Sequence, residues 1–189
     1  MSIPVPTWGP QTPVTEKELI ARTLAGDRLA ARTLYDAHAP RVYRLIYRLV
    51  GDPDMAEEHT QDAFVKVFEK LETFRGEASL ATWIHAIAVS VALNGLRRLK
   101  RRRAREVELE VAAELGAHDR LGQPDLRERL MAAIEALPEK FRITVVLHDV
   151  EGFTHPEIAR MTGVPEGTCK TRLAGGRAKL REALSAYAH

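Results

Sequence analysis

Apolar residues recur at intervals of three and four along most of the chain, the spacing that places them on one face of an α-helix. One such stripe predicts a helix from Pro53 to Leu71, and another predicts a longer helix from Leu80 to Arg103. Their inward positions are Ala56, Thr60, Ala63, Phe64, Val67, Phe68 and Leu71, then Leu80, Trp83, Ile84, Ile87, Ala88, Val91, Leu96 and Leu99. The fold class is therefore predicted to be all-α.

Caps and glycines divide the residues before Pro53 into shorter helices. A capping box at Thr15–Glu18 begins the first helix, and Gly26 breaks it. A second helix is predicted from Asp27 to Ala37, and a third follows Pro40 and closes at Gly51.

The periodicity stops between Glu106 and Pro124, where alternating acids are followed by glycines, and we predict an interdomain linker there. Asp125 is predicted to cap the next helix. The segment from Pro138 to Val150 contains ITVVL, which is compatible with a strand, but its flanking helices favour a helix. We thus predict a flexible leader at 1–14 and two small helical domains, at 15–103 and 125–189, joined by a linker at 104–124.

The stretch from Thr154 to Leu184 predicts a helix-turn-helix. Thr154 and Glu157 form a capping box, Gly163 supplies the left-handed residue that ends the short helix, and Pro165 restarts the backbone. The second helix has Cys169, Leu173 and Leu180 inward and Lys170, Arg172, Arg177, Lys179 and Arg181 mainly outward. A helical hairpin with a solvated basic face is the alternative, but a basic second helix after a tight glycine turn favours binding in a DNA major groove.

Composition and charge narrow the function classes. With 189 residues, 45% of them apolar and 29% charged, the chain is predicted to be soluble and globular. A net charge of +2 means that any site for a polyanion depends on uneven charge distribution. The single cysteine excludes an internal disulfide framework and fits a reducing cytoplasm. We find no signal peptide in the proline-rich N-terminus and no apolar run near the ~20 residues of a membrane span.

Two charge clusters stand out. The predicted helix from Pro53 carries acids beyond its first turn, for which a solvated face and a docking face for a basic partner both remain open. From Arg97 to Arg105, seven of nine residues are basic and none is acidic. Such a run is often only a solvated tail, but its place before a linker favours contact with nucleic-acid phosphates.

No pattern indicates catalysis. We find no glycine loop with phosphate-cradling spacing, no metal-ligand spacing of Cys or His, and no activated nucleophile. Cys169 is interpreted as a small core residue, with a redox switch as the lesser alternative. We therefore predict no enzyme, no metal and no cofactor.

Several motifs in order resemble the extracytoplasmic-function (ECF) sigma factors of bacterial RNA polymerase. The most specific are AEEHTQDAF, FRGEASLATW, and LPEKFR with GVPEGTCKTRL, and the resemblance spans Glu16 to Leu184. It implies an N-terminal domain like sigma region 2 and a C-terminal domain like sigma region 4. The partners it implies are core RNA polymerase (the β′ clamp helices and the β subunit), promoter DNA and an anti-sigma factor, with no small-molecule substrate. It also implies a cytoplasmic location in bacteria, with retention at the inner membrane by the anti-sigma factor.

The resemblance also implies three sets of site residues. Those for binding core polymerase are Glu57, Glu58, Gln61 and Asp62. Those for reading a melted minus-ten element are Phe74, Arg75, Gly76, Glu77, Ala78 and Ser79, then Thr82, Trp83, Ser90, Asn94, Arg97 and Arg98. Those for reading a duplex minus-thirty-five element are Glu166, Gly167, Thr168, Lys170, Thr171, Arg172 and Arg177. Trp83 is equally compatible with a place in the core.

Departures from the family pattern keep alternatives open. Gly175 stands where a basic residue is common, and the adjacent Gly175 and Gly176 lower helix preference, which leaves open whether the recognition helix bends or frays there. Ser90 and Val91 replace a usual Asn and Thr, and Cys169 replaces a usual Val. The alternative functions are a stand-alone helix-turn-helix regulator of duplex DNA and a sigma mimic that binds no DNA.

Overall fold

A computed structural model describes residues 15–106 and 126–185. Within these ranges the chain is helical and contains no strand. The α-helices are α1 (Glu16–Leu24), α2 (Arg28–Val50), α3 (Pro53–Lys70), α4 (Leu80–Glu106), α5 (Leu126–Glu135), α6 (Glu139–Val145), α7 (His155–Thr162) and α8 (Glu166–Ser185). A 3₁₀ turn at Leu71–Thr73 follows α3, and a π-helical turn at Val146–Val150 follows α6. The all-α prediction is confirmed, whereas the predicted leader, most of the linker and the Asp125 cap lie outside the described residues.

The N-terminal domain is built by α2, α3 and α4, which pack on one another, with α1 lying along α2. Apolar residues at helical spacing meet in one core, because each helix buries a single stripe. The fully buried members include Leu34, Leu45, Ile46, Leu49, Val67, Leu80, Ile84 and Val89. Tyr35 packs on Phe64 with ring centroids 4.6 Å apart. These contacts hold α3 and α4 with their polar faces outward.

One predicted boundary is wrong: α2 runs unbroken from Arg28 to Val50, where two helices separated near Pro40 were expected. A proline inside a helix costs about 3 kcal/mol, because it removes a hydrogen bond and crowds the preceding turn. Here the ring lies on the exposed face, while Leu34 and Val42 on either side of it are both fully buried. Burial of one continuous stripe outweighs the local cost.

The central helix of this domain is unusually apolar. Leu80–Ala104 contains an 18-residue window that is long and apolar enough to cross a membrane, and so comes closer to a membrane span than we expected from the sequence. More than half of this window (56%) is buried within the protein, where α4 packs against α2 and α3. Its composition is therefore that of a core helix.

The C-terminal domain places α6 and α7 against α8. The segment after Pro138 is helical, as favoured over a strand, and continues into the π-helical turn. The two adjacent glycines, Gly175 and Gly176, do not fray α8, which is continuous from Glu166 to Ser185. A Cβ at Gly176 would lie 2.6 Å from Val145 Cγ2, so the glycines allow α6 to pack closely.

Candidate nucleic-acid and polymerase interfaces

The predicted polymerase-binding residues share the outer face of α3. Asp52 begins this helix, because its Oδ1 accepts a hydrogen bond from the Met55 N–H at 2.8 Å. The opposite face of α3 is held in the core by Ala56, Ala63 and Phe64. The residues left exposed on the outer face are Glu57, Glu58, Gln61 and Asp62. They form a mostly acidic surface somewhat less than two helical turns long.

A groove between α2 and α3 borders this acidic surface. Its lining includes Tyr35, Pro40 and Tyr43 from α2, and Glu57 and Gln61 from α3. Tyr43 and Tyr47 stack in parallel along α2 with centroids 6.3 Å apart. The acidic side chains are thus next to an aromatic and apolar strip, a combination suited to contact with a protein helix.

Sequence reasoning missed His59, which points from α3 toward α4. Its ring is buried against Gly95, where a Cβ would lie 2.0 Å from His59 Nε2, so α4 needs a glycine at this point. His59 Nδ1 lies 4.0 Å from the Asp62 carboxylate. Donor atoms of Glu58, His59 and Asp62 lie within 4.8 Å of one another and could in principle hold a cation. Two of the three are exposed acids on one helix face, and the third is the buried imidazole.

The loop before α4 presents a polar tip on an aromatic base. Phe74 and Trp83 are half-buried and pack with ring centroids 5.4 Å apart, which ties the loop to the core. Gly76 has a φ of 73°, in the left-handed region that favours glycine. Ser79 Oγ accepts a hydrogen bond from the Thr82 N–H at 3.1 Å and fixes the start of α4. The exposed residues of the loop are Arg75, Gly76, Glu77, Ala78 and Ser79.

The predicted DNA-facing residues of α4 fall into two groups. Thr82, Ser90 and Arg98 are exposed, as are residues 101–103 of the basic run. Arg97 is engaged: its Nη1 donates to Asn94 Oδ1 at 3.0 Å, and its Nη2 donates to the Met161 and Thr162 carbonyls of the other domain. In this conformation Arg97 is therefore occupied by protein.

The helix-turn-helix has the predicted local geometry. The Glu157 carboxylate accepts a hydrogen bond from the Thr154 N–H at 2.8 Å, and the hydrogen bonds with Thr154 lower the pKa of Glu157. Gly163 ends α7 with a φ of 72°. Cys169 is buried between the two helices, and its Sγ donates to the Val164 carbonyl at 3.7 Å. The capping box, the turn and the core position of Cys169 are thus confirmed.

The first turns of α8 are open to solvent. Lys170 Nζ lies 2.7 Å from Glu166 Oε1, one helical turn away, and this contact lowers the pKa of Glu166. Arg172 is half-buried beside the cleft that faces α4. The residues exposed at this end of α8 are Glu166, Gly167, Thr168, Lys170 and Thr171. They are the residues that would approach a groove first.

Arg177 differs from the other predicted residues of α8. Its Nε donates to Asp149 Oδ2 at 2.9 Å, and the hydrogen bonds from Arg177 are the main cause of the lowered pKa of Asp149. His148 contacts the same carboxylate at 2.8 Å. Arg177 therefore links α8 to the π-helical turn within the C-terminal domain, a partner that sequence spacing did not suggest.

Family models and known relatives match both halves of the chain. The Sigma-70 region 2 model matches residues 34–102, and the Sigma-70 region 4 model matches residues 127–180. The chain is 36% identical over 161 residues to ECF RNA polymerase sigma factor SigE of Mycolicibacterium smegmatis, covering 79% of this chain and 60% of SigE. It is 32% identical over 170 residues to SigM of Mycobacterium tuberculosis, covering 90% and 85%. It is 30% identical over 175 residues to sigma-E of Escherichia coli K12, covering 87% and 91%.

Solved structures show the same fold. The sigma factor RpoE of Bartonella quintana, in complex with the anti-sigma factor NepR, aligns with a TM-score of 0.58 at 23% identity, covering 82% of this chain and 96% of RpoE. CnrH, in complex with the cytosolic domain of CnrY, aligns with a TM-score of 0.53 at 24% identity, covering 89% and 96%. Since both family models match in order, and the alignments span 85% of SigM and 91% of sigma-E, the chain belongs to the ECF RNA polymerase sigma factors.

Proposed function

We propose that this sigma factor binds core RNA polymerase through α3 and directs initiation with one DNA-reading surface in each domain. The observation that carries the proposal is the exposed N-terminal end of α8, whose other side is held by α6 and α7. A helix presented in this way fits the major groove with its first turns against base edges. Lys170 supplies a cation for phosphate, and Thr171 supplies a hydroxyl for a base edge. This end of α8 reads a minus-thirty-five element.

The minus-ten element is read by the loop before α4. Unstacking a base costs a few kcal/mol, which a pocket for the flipped base offsets. The exposed tip at residues 75–79, fixed to the core by Phe74 and Trp83, supports this role because a rigid base limits the entropy lost on binding. The exposed α4 residues Thr82, Ser90 and Arg98 continue the surface along the melted strand and its phosphates.

Core polymerase binds the acidic face of α3, with the β′ clamp helices and the β subunit as the partner surfaces. Residues 15–103 form the polymerase-binding and minus-ten domain, residues 104–124 thread through the polymerase toward the RNA exit path, and residues 125–189 form the minus-thirty-five domain. The chain works in the cytoplasm without a cofactor, because polymerase supplies the chemistry. Since the relatives RpoE and CnrH were solved in complexes with NepR and CnrY, we extend control by an anti-sigma factor to this chain.

Run-off transcription with bacterial core polymerase on a library of random promoters tests the proposal. With the wild-type chain we expect transcripts to start downstream of one enriched two-part motif. The charge reversals Glu58→Lys and Asp62→Lys together should abolish core binding but leave binding to the isolated promoter duplex unchanged. Lys170→Ala with Thr171→Ala should leave core binding intact and remove selection of the upstream half of the motif.

Three outcomes would contradict this assignment. Wild-type affinity of the α3 variant for core polymerase would show that the acidic face is not the docking surface. Specific duplex binding by a chain that never engages core would instead identify a stand-alone regulator. Unchanged promoter selection by the α8 variant would remove the recognition role of α8.

A further inference from the structure

The imidazole of His59 is buried on α3 without a hydrogen-bond partner for either ring nitrogen among the described residues. Only 8% of the residue is exposed, so bulk water does not satisfy these atoms. A buried polar group without a partner costs free energy, and most such groups in folded proteins are paired. A neutral imidazole has one nitrogen whose lone pair binds a proton donor or a metal ion. His59 therefore offers a ligand atom held in a fixed position.

Gly95 on α4 sets the orientation of this ring. A Cβ at Gly95 would lie 2.0 Å from His59 Nε2, so this nitrogen faces α4. The other nitrogen, Nδ1, lies on the side of the exposed Asp62, 4.0 Å from its Oδ2. This distance is too long for a hydrogen bond, but two atoms that share one metal ion are normally 3 to 4 Å apart. The packing of α3 on α4 thus directs Nδ1 toward the carboxylate.

Two carboxylates complete a cluster of three ligand atoms. Glu58 and Asp62 are one helical turn apart, and one ligand atom from each of them and from His59 lie within 4.8 Å of one another. Within the described ranges, neither carboxylate forms an ion pair with a lysine or an arginine. Like charges at this spacing repel each other, and a cation between them removes the repulsion. The cluster is therefore short of positive charge.

The chemistry of these three atoms selects a class of metal ion. One imidazole nitrogen with two carboxylate oxygens suits divalent ions of the zinc type, whereas Mg²⁺ and Ca²⁺ prefer oxygen ligands alone. Zinc binds both atom types at about 2.0–2.2 Å, which requires the three atoms to approach within about 3.5 Å of one another. Both carboxylates are exposed, so rotation of their side chains supplies this movement. Spacing of Cys and His does not indicate the site in the sequence, because two of its ligands are acids.

We propose that α3 binds one divalent transition-metal ion of the zinc class through Glu58, His59 Nδ1 and Asp62, with water at the remaining position. The ion occupies two of the carboxylates that the proposed function assigns to core polymerase. Metal ion and polymerase therefore compete for α3, and the metal-loaded chain binds polymerase weakly. The competition rests on the proposed function, whereas the metal site stands on the geometry of α3 and α4.

Titration of the full-length chain with Zn²⁺ alone, in competition with a chromophoric zinc indicator, tests the site. We expect one ion per chain and weaker binding of Mg²⁺, because an imidazole nitrogen is a poor ligand for Mg²⁺. His59→Leu and Asp62→Asn should each weaken zinc affinity at least about tenfold, since loss of even an outer-shell group has that effect. Glu69→Gln removes another exposed acid of α3 and should leave zinc affinity unchanged.

Circular dichroism establishes that each variant is folded, and Asp62→Asn tests the site without disturbing the core, because Asp62 is exposed. Equal zinc affinity in the wild type and in folded His59→Leu and Asp62→Asn would place the ion elsewhere on the chain and overturn the site. Equal affinity of the wild type for Zn²⁺ and Mg²⁺ would show that the imidazole is not a ligand, with the same consequence.

Binding to core polymerase tests the competition separately. At a free Zn²⁺ concentration ten times the dissociation constant, the wild type should bind core about tenfold more weakly, because only about a tenth of it is metal-free. His59→Leu keeps both carboxylates, so Zn²⁺ should not change its affinity, and it also controls for effects of Zn²⁺ on polymerase itself. Unchanged core affinity of the zinc-loaded wild type would overturn the competition. A chain that binds Zn²⁺ through His59 but never binds core would instead refute the proposed function.

Discussion

Gly176 lies where α8 crosses α6, and its missing side chain allows the two helices to approach. Local preference ranks glycine about 1 kcal/mol below alanine in a helix, so the sequence pattern predicted a weakened α8. Its partner Val145 lies 31 residues earlier in the chain, outside any local window. The sequence therefore predicts α8 correctly, but it does not indicate that Gly176 makes room for Val145.

A Gly176→Ala substitution should destabilise the C-terminal domain by about 1–3 kcal/mol, because the added methyl group overpacks the contact with Val145. The gain in helix preference is smaller than this cost. Gly167→Ala is the matched control in the same helix: nothing lies within 4 Å of its Cβ, so it should stabilise by up to about 1 kcal/mol. Urea unfolding followed by circular dichroism measures both. Equal stabilisation by the two alanines would contradict the packing role.

Glu151 should make stability depend on acid pH. Burial raises the pKa of Glu151. The contact with His85 and the charges of His85, Arg41 and Arg48 lower the pKa by more than burial raises it, so it lies below the ordinary value of 4.5. A carboxyl with a lower pKa in the folded than in the unfolded state contributes stability above the unfolded pKa. That contribution is lost as the pH falls through the folded pKa.

We therefore expect the wild type to be about 1–3 kcal/mol more stable than Glu151→Gln at pH 7, with the difference disappearing below pH 4.5. Urea unfolding at pH 7, 5, 4 and 3 measures this difference. The exposed Glu182→Gln should match the wild type throughout. A difference that grows as the pH falls would show that Glu151 is not held as a carboxylate.

At the scale of elements, apolar periodicity and caps predict most helices, because both are local signals. Asp52, Thr154 and Gly163 mark helix ends in the sequence and do so in the structure. Pro40 misled the prediction, since the tendency of proline to end a helix is local whereas the burial that overrides it comes from α3 and α4. Because α2 is continuous, it carries both the stacked Tyr43 and Tyr47 and, at its C-terminal end, the Leu49 carbonyl that accepts a hydrogen bond from Arg142.

Pro40→Ala should stabilise the N-terminal domain by up to about 3 kcal/mol, because alanine restores the missing helix hydrogen bond and removes a clash. The exposed position of Pro40 means that no buried contact is lost. Arg44→Ala, at another exposed position of α2, should change stability by no more than about 0.5 kcal/mol. Thermal unfolding compares the two. A destabilised Pro40→Ala would show that α2 needs its proline.

At the scale of the whole molecule, the sequence motifs indicate the family, and apolar periodicity predicts two helical domains. Neither predicts which residues of the two domains are in contact. The resemblance and the basic run both assign Arg97 to DNA, whereas its carbonyl partners lie 64 and 65 residues away. Glu151, His85 and Arg48 carried no motif, because an interdomain contact between single residues leaves no period in a sequence. Such contacts emerge only from the packed structure.

Arg97 and Arg142 each donate to helix-end carbonyls of the other domain, but they should respond differently to substitution. Arg142 lies outside the proposed DNA-reading surfaces, so Arg142→Met should leave the slope of log K against log salt for promoter duplex unchanged, because it removes no phosphate contact. Arg97→Ala removes a cation that the proposed function places on DNA, so its slope should be shallower by about 0.9. Fluorescence anisotropy from 50 to 300 mM NaCl measures both slopes, and equal slopes for the two variants would mean that Arg97 serves the contact between the domains alone.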